Sequence, residues 1–246
     1  MGIIYAVLSG KGGTGKTSVC AGLATALAES GKRVLSIDCD VGLRNLDISL
    51  GMSDSCALSF LDISEGGYPL EQAAVHGSYP SLFFLTAPMN RSADQIDPAA
   101  FGNMLLQARR RFDYIFLDAP AGVDAGFRLV STLADRFLLV TGPGPAAIRD
   151  AARVGDLLEL AGKDQIRLIV NRVDREMLSM VRLTIDDVMD STGLPLAGIV
   201  PEDPDVTLAA AFGMPVLKFA RRGDASKAFR RIANRLQGFT TPVKLR

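Results

Sequence analysis

Ten residues near the amino terminus, Ser9-Gly-Lys-Gly-Gly-Thr-Gly-Lys-Thr-Ser18, restrict the fold more than any other stretch of the chain. They fit the spacing G-x-x-x-x-G-K-[ST] at Gly10, Gly15, Lys16 and Thr17. The apolar, β-rich run Ile3–Leu8 precedes them, and an Ala/Leu-rich, helix-favouring run over Val19–Glu29 follows. A strand, a glycine-rich loop and a helix in that order form a cradle for a polyphosphate. Such a ligand needs many inward-aimed N–H donors on a closely wrapped loop, and glycine allows that approach without a Cβ clash. Gly10, Gly12, Gly13 and Gly15 meet the need, with Thr14 and Ser18 in the same wrap. A helix starting near Gly15 adds free N–H groups and the positive end of its dipole. In this arrangement Lys16 lies along the β- and γ-phosphates and the Thr17 hydroxyl ligates Mg²⁺.

Lys11 departs from the plain template. A second lysine at the front of the loop, in Lys11-Gly-Gly-Thr-Gly-Lys-Thr17, resembles the deviant Walker A motif of the MinD/ParA superfamily of P-loop ATPases. In that family the front lysine reaches the phosphates held by a partner subunit. The resemblance therefore implies ATP and Mg²⁺ as cofactors, Lys11, Lys16 and Asp40 as catalytic groups, and an ATP-dependent homodimer. A cation delivered in trans stabilises the negative charge of phosphoryl transfer, as an arginine finger does.

Three further segments carry the same resemblance. Val34–Ile37 reads as a buried strand that leads into Asp38-Cys-Asp40-Val-Gly-Leu-Arg-Asn45-Leu-Asp47, similar to the first switch of the MinD branch. By that likeness Asp40 positions the attacking water, Asn45 contacts phosphates as the loop closes, and Asp38 supports the magnesium shell. Read without it, Asp47 caps a helix after an Asp-rich turn. Asp113–Asp118 is a hydrophobic strand ending in aspartate, a Walker B arrangement in which Asp118 holds a metal-bound water. Ala119-Pro-Ala-Gly122 follows, similar to the second switch, with alanine where serine is usual and Gly122 offering an N–H to the γ-phosphate. Asn171-Arg172 ends a strand over Ile166–Val170; in the family such an asparagine reads the adenine edge, and Arg172 stacks nearby. Pro201-Glu202-Asp203 resembles the loop that flanks the base.

The remaining elements are expected as follows. Helices surround a Gly66–Pro69 break within Ala57–Val75, and Leu82–Leu85 is a strand. A polar loop spans Ser92–Pro98, and Phe101–Arg110 is a helix with Phe101, Met104, Leu105 and Ala108 inward. Leu138–Thr141 is a strand, Ala146–Leu160 a helix, Val181–Asp190 a helix, Leu196–Val200 a strand, and Ala209–Phe212 and Ala225–Gly238 the last helices. This alternation predicts an α/β fold: a doubly wound, mainly parallel sheet with helices on both faces, in three layers. One P-loop ATPase domain is expected over 1–246, with a basic helix and short tail at about 223–246.

A chain of 246 residues, 48% hydrophobic, buries a core of its own without disulfides or metals. Cys20, Cys39 and Cys56 are odd in number and show no C-x-x-C spacing, which points to a reducing compartment. The apolar run at the amino terminus breaks at Lys11, so no secretory signal is read there, and no transmembrane run exists. The expectation is a cytoplasmic protein, peripheral at most at the inner membrane surface.

From Lys218 onward nine basic residues face one acid, Asp224, while the rest of the chain holds 18 basic and 26 acidic residues. In the last helix Ala225, Ala228, Phe229, Ile232, Ala233 and Leu236 share one face, expected to pack on the sheet, with Lys227, Arg230, Arg231 and Arg235 on the other. The MinD branch carries a further membrane-inserting tail. Here the stretch after Gly238 is short and holds Pro242, so only a weak anionic-membrane contact through Phe239, Leu245 and neighbouring cations is expected. Partners would be a second copy and an activating or cargo protein. The alternatives are a ParA-like segregation ATPase that coats DNA, a flagellar-number regulator of the MinD type, and a metabolic amidase or iron-protein-like reductase. The reductase needs cysteines beyond the second switch, and none follows Cys56; the amidase needs an added domain for which the length leaves little room.

Overall fold

The computed structural model describes residues 1–89 and 91–243; the expectations on Lys244, Leu245 and Arg246 lie outside them. Eight strands form one sheet: β1 (Ile3–Leu8), β2 (Val34–Asp38), β3 (Ala74–His76), β4 (Tyr79–Leu85), β5 (Tyr114–Asp118), β6 (Arg136–Thr141), β7 (Ile166–Val173) and β8 (Leu196–Pro201). Their order is β3-β4-β2-β5-β1-β6-β7-β8, parallel throughout except for β3 against β4. Central strands such as β2 and β5 are buried at every position. They read as continuous apolar runs because helices cover both faces.

On one face α1 (Lys16–Glu29) and α11 (Asp224–Leu236) bury Val19, Leu23, Leu27, Phe229 and Ile232 against the sheet. On the other, α4 (Pro98–Ala108), α5 (Ala125–Leu133) and α6 (Pro145–Leu160) bury Phe101, Val130, Ile148 and Val154. The six apolar positions singled out on α11 are all buried, so that stripe is a packing surface. Gly22 permits the contact between α1 and α11, since a Cβ there would come within 2.6 Å of the Phe229 ring. Gly22→Val is therefore expected to lower stability by about 1–3 kcal/mol through overpacking, although glycine is the poorer helix former. A urea midpoint no lower than that of the unaltered protein would contradict this packing.

The polar loop expected over Ser92–Pro98 holds a 3₁₀ turn at Ala93–Gln95 and gives Pro98 to α4, α5 has no counterpart in the sequence reading, and three further segments differ. Ala57–Val75 is only briefly helical, at α3 (Phe60–Ser64) and a 3₁₀ turn over Leu70–Gln72, and it ends in the antiparallel strand β3. Three residues are too few to show alternation; tertiary contacts hold them. His76 Nδ1 accepts the N–H groups of Ser78 and Tyr79 at 3.0 and 3.2 Å, which leaves Nε2–H to donate to the Leu50 carbonyl at 2.9 Å. The imidazole thereby ties the β3–β4 hairpin to the end of α2 (Leu46–Leu50).

The helix expected over Val181–Asp190 is two helices, α7 (Arg175–Met180) and α8 (Ile185–Thr192). Arg182 in the left-handed region (φ 54°) follows the first, and a Thr184–Asp187 capping box starts the second. The helix expected over Ala209–Phe212 starts earlier, as α9 (Pro204–Ala211), with a one-turn α10 (Val216–Phe219) after it.

Candidate nucleotide site

The matched segments converge on the carboxyl edge of the sheet, where open α/β sheets place their ligands. The loop from Gly10 to Gly15 joins β1 to α1. Gly15 is left-handed (φ 81°) and abuts the Asn171 amide, so a side chain fits neither its conformation nor its surroundings. Beyond it α1 begins with no side-chain cap and no acid in its first turn, leaving its positive end open to an anion. The Thr14 hydroxyl is buried without a partner among the described residues, an orphaned donor inside the loop.

Lys16 is 7% exposed and its Nζ lies 2.7 Å from Asp118 Oδ1, itself 1% exposed. Burial opposes the lysine's charge, but the carboxylate outweighs it, and the Lys16 pKa is raised. Asp38 stands beside Asp118 in register across β2 and β5. Burial, then the charge of Asp118, pushes the Asp38 carboxyl up to about 6. Its oxygens also hold the first switch segment: Oδ1 accepts the Asp40 N–H at 2.9 Å and Oδ2 the Leu46 N–H at 3.1 Å. Asp47 lies inside α2 rather than at its N-cap: its Oδ1 accepts the Ile48 N–H at 2.8 Å, while the Leu46 N–H goes to Asp38. Asp40 is half-buried, and burial raises its pKa against the opposing pull of Lys16.

Asp118 and Asp40 thus act on one ammonium, with Asp38 beside Asp118. The hydroxyl of Thr17 with the oxygens of Asp118 and Asp38 is a hard donor set suited to Mg²⁺. Among the described residues no three metal-binding side chains cluster closely enough to hold an ion alone. Mg²⁺ fits such a site, because it keeps waters and takes one or two carboxylates together with substrate phosphates.

Asn45 is exposed at the start of α2 and its side chain caps nothing. In the second switch Gly122 is left-handed (φ 89°), and its N–H donates to the Ser9 carbonyl at 3.1 Å. The donor expected for a phosphate is therefore engaged within the loop here. Lys11 is exposed, and its ammonium meets no partner among the described residues.

At the end of β7, Asn171 is buried, and its Nδ2 donates to the Thr14 carbonyl at 2.8 Å. Arg172 takes a left-handed backbone (φ 58°) where the β7–β8 register shifts. Its Nε donates to Glu202 Oε2 at 2.8 Å and its Nη1 to the Gly13 carbonyl at 3.5 Å. Asn171, Arg172, Pro201, Glu202 and Asp203 line one cavity of about 140 Å³ with Ser18 and Gly15. The Asp203 carboxylate is itself a staple: Oδ1 accepts the Asp205 N–H and Oδ2 the Ala225 N–H, joining the starts of α9 and α11. Val206, Thr207 and Phe229 complete the wall. No sequence pattern marks the first two, and the helical spacing of Phe229 reads only as core.

Lys16→Ala is expected to abolish nucleotide binding and to strand the buried Asp118 carboxylate at a cost of about 3–5 kcal/mol. Titration with a fluorescent ATP analogue and urea unfolding read the two effects separately. Retained affinity would remove Lys16 from its assigned place in the loop.

Residues 5–216 match the CobQ/CobB/MinD/ParA nucleotide binding domain. The septum site-determining protein MinD of Synechocystis is 38% identical over 244 residues, covering 98% of this chain and 92% of that protein. MinD of Bacillus subtilis is 35% identical over 250 residues, covering 100% and 92%. Among solved structures, the MinC:MinD cell division complex of Aquifex aeolicus aligns with a TM-score of 0.91 at 36% identity over 98% of both chains. MinD of Pyrococcus horikoshii complexed with Mg-ADP aligns at 0.84 and 30% identity over 96% of both. With the phosphate loop, both switches and the sheet in place, and with likeness to MinD along almost its whole length, the chain belongs to the CobQ/CobB/MinD/ParA family as a MinD-like P-loop ATPase.

Proposed function

We propose that this ATPase is a switch that dimerises around ATP and takes part in placing the division site. One observation carries the reading. The two lysines of a single loop are differently placed: Lys16 is buried against Asp118, whereas Lys11 faces solvent without a partner among the described residues. A cation directed outward from a phosphate loop is suited to phosphates held by another copy.

In the loaded state Lys16 exchanges Asp118 for phosphate oxygens. Thr17 and Asp118, with Asp38 behind them, would hold Mg²⁺, which supplies positive charge to the phosphate oxygens. Asp40 orients the attacking water, and Asn45 and the Gly122 N–H close onto the phosphates. The Asn171 carbonyl oxygen, not used in its bond to Thr14, offers an acceptor to the adenine edge, while Arg172 and Pro201–Asp203 frame the ring.

The first switch hangs from Asp38 beside Asp118, so its position reports the occupancy of the phosphate site to an activating or cargo protein. A protein of the MinC kind, present in the Aquifex complex, is a partner suggested by likeness. We place the protein in the cytoplasm with peripheral contact at an anionic membrane surface. Among the described residues no helix is long and apolar enough to cross a membrane.

Light scattering on the unaltered protein is expected to give a dimer in Mg-ATP and a monomer in Mg-ADP. Vesicle flotation in ATP should favour anionic lipid. Steeply salt-dependent DNA binding in ATP, without flotation, would replace this reading with a segregation role.

A further inference from the structure

At the amino-terminal edge of the sheet, opposite the phosphate loop, a half-closed cavity of about 190 Å³ lies between the starts of β6 and β7 and the end of α11. Tyr5, Arg136, Gln165, Arg167, Arg235 and Gly238 line it, and among the described residues no carboxylate stands in its wall. Three guanidinium groups therefore gather around one space without a counter-charge from the described residues in its lining. Like charges collected beside a low-dielectric wall repel one another and focus a positive potential into the space between them.

The donors are only partly used. Arg235 gives Nη1 to the Ala197 carbonyl at 2.6 Å, and Nε and Nη2 to the Thr241 carbonyl at 3.0 and 2.7 Å, all neutral acceptors. Burial, then the charges of Arg167 and Arg231, makes its protonated form costlier than usual. Arg136 donates from Nη1 to the Tyr5 hydroxyl at 3.1 Å, with its guanidinium 5.9 Å from the centre of that ring. Arg167 has no hydrogen bond or ion pair among the described residues. Tyr5 is 2% exposed; its hydroxyl accepts from Arg136 and donates to nothing there. That hydroxyl proton is available to an acceptor seated in the cavity.

We propose that this cavity binds a phosphate group, presented either by an anionic lipid headgroup or as a free ion. Guanidinium forks match phosphate oxygens in pairs, and the Tyr5 hydroxyl adds a neutral donor on the same wall. The three guanidinium groups favour an anionic ligand over a cationic one. Directly after Gly238, Phe239 is 62% exposed and Val243 49% exposed, an apolar flank that a bilayer would cover. In its lipid form the proposal rests on the membrane contact proposed above; in its free-ion form it does not.

The test uses the full chain saturated with Mg-ADP, so that the phosphate loop is occupied. Inorganic phosphate is titrated and followed by phosphorus NMR. Flotation is measured with vesicles of phosphatidylglycerol in phosphatidylcholine and of phosphatidylcholine alone. Arg167→Gln and Arg136→Gln, whose folding is checked by unchanged ATP hydrolysis, are expected to weaken phosphate binding about tenfold each, and Tyr5→Phe severalfold. Phosphate binding and phosphatidylglycerol flotation that fall together in these variants identify a headgroup site. Phosphate binding that falls while flotation does not identifies a site for the free ion. Phosphate binding unchanged by both arginine replacements overturns the proposal, and flotation that persists in that case leaves the membrane contact itself standing.

Discussion

Asp40→Ala is expected to hydrolyse ATP at least about 100-fold more slowly and to accumulate as a dimer for as long as ATP is present. Asp40 is the half-buried carboxylate at the mouth of the site, and among the described residues it forms no ion pair. Truncating it removes the group proposed to orient water while keeping the phosphate cradle and the Lys16–Asp118 pair. Its backbone N–H, which anchors the switch to Asp38, is retained in alanine. Binding and dimerisation should therefore survive while the step that dissolves the dimer is lost. Light scattering with and without ATP, beside a phosphate-release assay, reads both halves. A variant that stays monomeric in ATP would dispose of the sandwich, and one that hydrolyses at the unaltered rate would take the water from Asp40.

Lys11→Ala is expected to have the opposite phenotype, binding ATP within a few-fold of the unaltered protein but remaining monomeric. An arginine finger acting in trans contributes about 10³–10⁵ in rate, and loss of a lysine in that position should cost hydrolysis on the same order. Lys11 is exposed and unpaired in the single chain, so its removal breaks no contact among the described residues and should leave the unfolding midpoint unchanged. That separates it from Lys16, whose removal damages both binding and fold. Combined with Asp40→Ala, Lys11→Ala should abolish the trapped dimer. A double variant still dimeric in ATP would show that the front lysine does not reach across.

What was legible in the sequence was what is local. The phosphate loop is a spacing of glycines and lysines whose meaning lies in its own backbone, and the flanking strand and helix confirmed it without long-range information. Asp38 and Asp118 were legible as strand ends because buried apolar runs stop at them. Illegible was how these pieces meet. The pairing of Lys16 with Asp118 spans 102 positions, and nothing in either segment announces it. Likewise, the sequence shows an aspartate at 38 but not that backbone N–H groups of its own switch occupy both its oxygens. Asn171 and Arg172 were readable as a strand end, whereas the register shift and left-handed Arg172 that turn them toward the loop come from pairing with β8. The break before α8 was readable in principle, from the Thr184-x-x-Asp187 signature, which the apolar spacing of the surrounding residues masked.

The helix α11 has two ends with different neighbours. At its start the Ala225 N–H is fastened to Asp203, and one turn on, Phe229 forms part of the cavity lined by Asn171 and Arg172. At its finish Arg235, Leu236 and Gly238 form part of the arginine-lined cavity. Thirteen residues at about 1.5 Å apiece make a rod near 20 Å long, gripped along its length by α1 and β8. A rod so held moves as one piece or stays put, so the Asn171 corner and the far edge share a single beam: neither can be reshaped by a shift of that beam without the other feeling it.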